Sequence, residues 1–351
     1  SHTVLPAPNA PIVVTARLVR GTGATLFYRV GFGPETPLAM AAAPNGMLTA
    51  SIPGQAAGAL VRYRLADNTR ESDRRRMKQS FSLTTWPVQG DGAWYTGTTV
   101  ATSATSTLLR FEWFMEDATY NQMIRDLTLR GDDGYPCVVA YGGAIFDNSK
   151  VRVKGQVSRT FTKKKLKFIL APGHEMSIPG VLPEPVDEWA MHSAWNEKSF
   201  LRETLASEML MRAGVPTSQA FPVRLERNGQ FYGVYTYVEQ QDGTWRDRYG
   251  FSDDYSIYEV GGGTQFGLLL ASDANLSQNA LRAKYDKETR EWENDNALRT
   301  LIASMNSLTG AAKKAWIYRN VDVPSLVNAL AMGIVLQHHD WGHKNYRLVF
   351  T

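Results

Sequence analysis

Cysteine is nearly absent from this chain. Cys137 is its only one, so no intrachain disulfide and no cysteine-built zinc centre can form. That residue sits in the apolar run Pro136-Cys137-Val138-Val139-Ala140, where an inert buried thiol is expected. Long hydrophobic runs are missing too. No stretch approaches the ~20 apolar residues that span a bilayer, so no transmembrane segment is expected. Ser1-His2-Thr3 does not read as the basic opening of a secretory signal. Charge of one sign is scarce: a net +4 over 351 residues, without a recognisable binding module, argues against a nucleic-acid partner. The bases do cluster locally, at Arg74-Arg75-Arg76 with Lys78 and at Lys163-Lys164-Lys165 with Lys167. Such runs form solvated faces or meet phosphate-bearing ligands. With 43% hydrophobic and 21% charged residues the composition is that of a globular protein, and its length suggests two domains.

Residues 1–86 read as all-β. Apolar runs Ile12–Val19, Thr25–Val30, Met47–Ile52 and Leu60–Leu65 are separated by Gly, Pro and Asn, the pattern of a small β-sandwich. This module is similar to the fibronectin- or immunoglobulin-like domains that precede catalytic domains, and a spacer or docking role is expected of it. Residues 105–351 mix elements. Strands are expected at 108–114, 137–141, 149–154 and 163–170, and a helix over 116–129. A second helix over 199–212 places Leu201, Leu205, Glu208, Met209 and Arg212 at helical spacing before Gly214. Asn228-Gly229 marks a hairpin between 222–226 and 231–238. Helices are expected at 277–285, 291–307, 311–318 and 323–338.

Near the C-terminus, Asp340 is followed five residues later by Asn345, just before the apolar strand Tyr346–Phe350. This is the spacing of a protein-kinase catalytic loop, where the Asp accepts the proton of the attacking hydroxyl and the Asn holds Mg²⁺ on the ATP phosphates. Upstream lie a Gly/Ser loop, a lysine-bearing strand and a helix with an internal glutamate, the order of a two-lobed kinase. His338, His339 and His343 invite a zinc reading. With that context upstream, His339 is better placed to support the catalytic loop.

Four blocks turn this layout into a resemblance: VRVKGQVSRTFTKKKLKFIL (151–170), KSFLRETLASEMLMRAGV (198–215), RLERNGQFYGVYTYVEQ (224–240) and HHDWGHKNYRLVF (338–350). Together they resemble the CotH kinase family, the spore-coat protein H type of atypical protein kinase, over residues 105–351. The fold so implied is α+β, a two-lobed kinase-like domain preceded by the sandwich.

The resemblance implies a site. Gly155, Ser158 and Arg159 match a phosphate-binding loop, with Val157 where the family usually has Ser. Lys163 and Lys164 match its paired lysines. Lys164 shares a face with Leu166 and Phe168 and is expected to reach the α/β-phosphates, while a slip of register would substitute Lys163 or Lys165. Glu208 is the expected partner of that lysine, Glu203 the competing and more solvated candidate, and Arg202 a structural ion-pair residue. Glu239 and Gln240, in a linker over 236–241, would border the adenine. Asp340 would be catalytic and Asn345 a Mg²⁺ ligand. The implied reaction moves the ATP γ-phosphoryl group to Ser/Thr of a coat, envelope or secreted protein, at a bacterial extracellular, spore-coat or envelope location. The alternatives are an inactive kinase-fold surface protein that binds nucleotide or acts in adhesion, and a carbohydrate-binding scaffold suggested by the sandwich and nine tryptophans. Because no second acidic metal ligand follows Asn345, a carboxylate is expected ~10 to 40 residues beyond Thr351.

Overall fold

Alternation of apolar and polar residues makes the front of the chain a sandwich. In the computed structural model, which describes residues 1–18, 23–67, 94–261, 266–339 and 342–351, β1 (Ile12–Arg17) buries Ile12 and Val14 and exposes Val13. β2 (Ala24–Val30), β3 (Thr36–Ala39), β4 (Ala41–Ala43), β5 (Met47–Ile52), β6 (Leu60–Asp67) and β7 (Thr96–Thr99) complete two antiparallel sheets, ordered β1-β5-β4 and β3-β2-β6-β7. Ile12, Val14 and Ile52 from one sheet pack with Leu26, Val61 and Tyr63 from the other. β7 lies beyond residue 86, so the sandwich extends further than the sequence suggests. The basic run Arg74–Arg76 with Lys78 lies outside the described residues.

β8 (Leu109–Phe114) opens a second structure. It is followed by helix α1 (Asp117–Met123), shorter than expected, and by β9 (Tyr135–Tyr141), β10 (Ala144–Lys154), β11 (Lys165–Ile169) and β12 (Glu188–His192). Helix α2 (Arg202–Arg212) precedes β13 (Ala220–Arg227) and β14 (Gln230–Glu239), whose connecting Asn228 and Gly229 both have positive φ, as a primed hairpin turn requires. These seven strands close into a barrel, β10-β11-β12-β14-β13-β8-β9. Every pairing is antiparallel except β13 with β8, which runs parallel from Val223↔Leu109 to Arg227↔Trp113. Phe111, Trp113, Phe168, Trp189, Tyr235 and Tyr237 fill the interior. Cys137 is among them, and burial pushes its thiol far above its ordinary value, so it is inert as expected.

The chain divides into two compact units, residues 1–204 with 219–240 and residues 205–218 with 241–351. Sandwich and barrel fall within the same compact unit. Leu60 packs with Phe114, Val138 and Ala140 on the outer wall of the barrel. Beside them Arg62 of β6 pairs with Asp147 of β10 at 2.9 Å, both side chains fully buried. The second Asp147 oxygen accepts the Tyr95 N–H (3.0 Å) and an Asn148 amide hydrogen (3.1 Å), and Arg62 also donates to Gly31 O (2.8 Å). Desolvation of this carboxyl raises its pKa, against the pull of Arg62.

The second unit continues with helix α3 (Gly243–Arg248), β15 (Ser256–Val260), helix α4 (Gln278–Arg282), β16 (Tyr285–Lys287), helices α5 (Asn296–Ser307), α6 (Gly310–Asn320) and α7 (Val323–Val335), and β17 (Tyr346–Phe350). Its sheet is ordered β16-β15-β17 around Tyr258, Val260, Tyr285, Leu298 and Ile302. Among the described residues no helix is long and apolar enough to cross a membrane.

An isolated charge left in this interface is costly. Asp147→Ala should therefore lower the unfolding free energy by about 3–5 kcal/mol, the range for breaking a buried pair. The double change Arg62→Met with Asp147→Leu should recover most of it. Urea denaturation checks both values, and separate sandwich and barrel transitions with an unshifted barrel midpoint would refute the coupling.

Candidate functional site

β10 ends at Lys154, and Gly155 turns the chain with φ +109°, a conformation closed to other residues. A Cβ there would stand 1.9 Å from Ser158 Oγ, so glycine is required for the hydroxyl to fold back over the turn. A 3-10 turn spans Val157–Thr160. Arg159 within it is buried and gives its guanidinium to carbonyls: Leu127 O at 2.7 Å, Leu129 O at 2.9 Å and Gly155 O. These bonds pin the loop to the segment after α1.

The alternation expected along β11 is present, since Leu166 and Phe168 point inward and Lys165 and Lys167 outward. Its consequence is reversed. Because the sheet closes, the face shared by Lys164, Leu166 and Phe168 is the packed interior, and Lys164 Nζ donates to Arg159 O at 2.6 Å. The outer face carries the charges instead. Lys154 and Lys165 are direct cross-strand partners, an arrangement of like charges that is unfavourable unless an anion lies nearby. Lys154 Nζ donates to Gln240 Oε1 at 2.9 Å. Lys167 is engaged with Glu188 (2.6 Å) and Asp132 (3.2 Å).

β12, to which the sequence assigned no element, brings His192 to the same face. Its Nδ1 lies 2.6 Å from Glu203 Oε1, in the first turn of α2. Burial lowers the His192 imidazole below its ordinary value, with Lys165 and Lys154 adding to the shift and Glu203 opposing it. Burial would raise the Glu203 carboxyl, but His192, Lys165 and Lys154 outweigh it and hold the group below the usual range. A neutral imidazole therefore donates from Nδ1 to an ionised carboxylate, with both lysines within electrostatic reach.

Glu203 is solvent-exposed, as expected, and is also the carboxylate beside the lysines. Glu208 pairs with Arg212 one helical turn on, at the surface. The apolar residues of that helix do not draw it inward, for Leu201, Leu205 and Met209 are exposed. Glu239 is buried, and its Oε2 accepts the Gln219 N–H at 2.9 Å. Residues 236–239 of the expected linker belong to β14, and the chain passes from one compact unit to the other only after Gln240.

In the second unit, Asn345 has φ +60° and its N–H donates to Val260 O at 2.8 Å, fixing the turn into β17. Asp340 lies outside the described residues. His343 stands edge-on to Phe266, and among the described residues no group of three His, Cys, Asp or Glu is placed to hold a metal ion. Lys154 and His192 were missed from sequence. The alternating Val151-Arg152-Val153-Lys154 pattern carried a signal for the first; nothing local marked the second.

Residues 151–349 match the family model described as CotH kinase protein. Over 243 residues the chain is 23% identical to the inner spore coat protein H of Bacillus subtilis (strain 168), across 69% of this chain and 64% of that protein. It thus spans just under two thirds of that relative's length.

Opposite signs are expected when the charges around His192 are removed singly. Glu203→Gln should lower the imidazole pKa further, and Lys165→Met should raise it, because the carboxylate favours the cation and the ammonium opposes it. Nitrogen chemical shifts of His192 followed through a pH titration check both. Shifts of the same sign would show that the group is not electrostatically coupled to this cluster.

Proposed function

The chain belongs to the CotH kinase protein family, and from that membership we propose that it transfers the γ-phosphoryl group of ATP to Ser or Thr of a protein. The observation that carries this reading is the lysine pair Lys154–Lys165, set cross-strand at the start of the Gly155 loop and facing Glu203. Two ammonium groups held side by side suit the α- and β-phosphates, and a carboxylate with a third polar partner keeps them in place without neutralising both. The loop from Gly155 to Ser158 supplies backbone N–H groups and a hydroxyl next to them. Glu239 and Gln240 would border the base through their backbone.

On this reading Asp340 orients or deprotonates the acceptor hydroxyl. Asn345 contributes a neutral oxygen to Mg²⁺, which requires carboxylate and phosphate oxygens besides; Asp340 is the first candidate for the carboxylate in this sequence. The metal, when bound, would shield the charge on the transferring group. The likeness to an inner spore coat protein supports a coat or envelope protein as acceptor and a place at the spore surface.

Transfer of label from radioactive ATP to a candidate coat protein tests the reading. Asp340→Asn should cut transfer by a factor of about 10² or more, the general-base range, with ATP binding retained. Lys165→Ala and Lys154→Ala should weaken ATP binding, and Glu208→Ala, a surface change away from the site, should leave it within about twofold. Full turnover in the Asp340 variant would end its assignment, and loss of binding at Lys164 alone would return the phosphates to that side chain.

A further inference from the structure

Lys163 takes no part in the cluster just described, and its surroundings are aromatic. Its ammonium lies 4.3 Å from the centre of the Tyr235 ring and 4.6 Å from that of Phe200, and it donates to Val234 O. Phe200 has φ +59°, a left-handed conformation that a bulky residue holds only under constraint. Ala194, six residues earlier, is also left-handed, at +46°. Between them Glu197 accepts the Ser199 and Leu201 N–H groups at 2.7 and 3.2 Å, fixing the backbone of the turn. Nothing in those bonds fixes the Phe200 ring. Two residues beyond Leu201, in the first turn of α2, is Glu203, the carboxylate that faces His192.

We propose that Lys163 is a positioning residue: its ammonium clasps Phe200 against Tyr235, and so sets the start of α2 with Glu203 against His192 and the Lys154–Lys165 pair. The clasp joins the two segments on which the site depends. Lys163 belongs to the connection that begins at Gly155 and ends in β11, and Phe200 to the turn that delivers α2. A cation between two ring faces is held by their quadrupoles. The groups facing Lys163 are Lys198 from the 194–200 turn and the phenol of Tyr235, backed by Tyr232, from β14. Burial keeps both phenols protonated, so they supply no countercharge. Burial, with Lys198 adding to it, lowers Lys163 to about 8.

Because burial holds this amine at about 8, below its value in a solvated arrangement, an opened clasp would bind more protons than the closed one, so rising pH does not drive it open and, by the same linkage, makes the fold more stable rather than less. The consequence for phosphate binding rests on the function proposed above, and the clasp does not.

The test uses the full chain labelled with nitrogen-15 histidine, His192 being assigned through His192→Gln. At neutral pH the wild type should show His192 as the Nδ1–H form bonded to Glu203. Lys163→Arg, which keeps the cation, should retain that signature. Lys163→Met should lack it at every pH while circular dichroism remains native, and should bind Mg-ATP about 3- to 30-fold more weakly, the range of a cation–π contact. An unchanged His192 signature in Lys163→Met, or its loss in Lys163→Arg, would overturn the clasp. If His192 behaves as described and the wild type binds no Mg-ATP, the clasp stands and the nucleotide reading falls.

Discussion

Closure of the seven-stranded sheet is the constraint from which the rest of the first unit follows. The parallel pairing of β13 with β8 joins the two ends of the sheet, and the enclosed face is then filled by tryptophan, tyrosine and phenylalanine. Once that interior is full, ionisable side chains on β10, β11 and β12 have only the outer face available. Lys154, Lys165, Lys167, Glu188 and His192 are consequently drawn onto one surface, next to the helix that carries Glu203. The same closure explains why Lys164, one residue away from Lys165, ends up bonded to a loop carbonyl.

Charge in this unit is used in two contrasting ways. At the wall between sandwich and barrel, Arg62 and Asp147 are desolvated together and fully bonded. Such a pair adds little net stability over an apolar contact but penalises every arrangement in which one partner is missing. It thereby specifies how the sandwich meets the barrel. At the candidate site the charges lie on the outer face, where two lysines meet across strands beside the Glu203 carboxylate and a neutral imidazole.

Much of this protein is legible in the residues themselves. The sandwich strands follow from period-2 alternation, the β13–β14 hairpin from Asn228-Gly229, and the inert thiol from the apolar run around Cys137. Family membership was carried by short blocks whose order and spacing survive without any structure. These are local properties, decided by a few neighbouring side chains and the backbone dihedrals they permit. The roles of individual site residues were not local. Strand alternation correctly divided Lys164 from Lys165, but which face is solvent and which is core depends on whether a sheet closes, a matter of contacts between strands more than a hundred residues apart in β8 and β13. Glu203 and Glu208 are both plausible from helical spacing; only the position of β12, whose His192 accepts one of them as partner, separates the two. Arg159 shows the same limit, since its donors are claimed by carbonyls about thirty residues earlier in the chain. Composition and motif determined what kinds of chemistry the chain carries, and tertiary closure decided which of those side chains face one another.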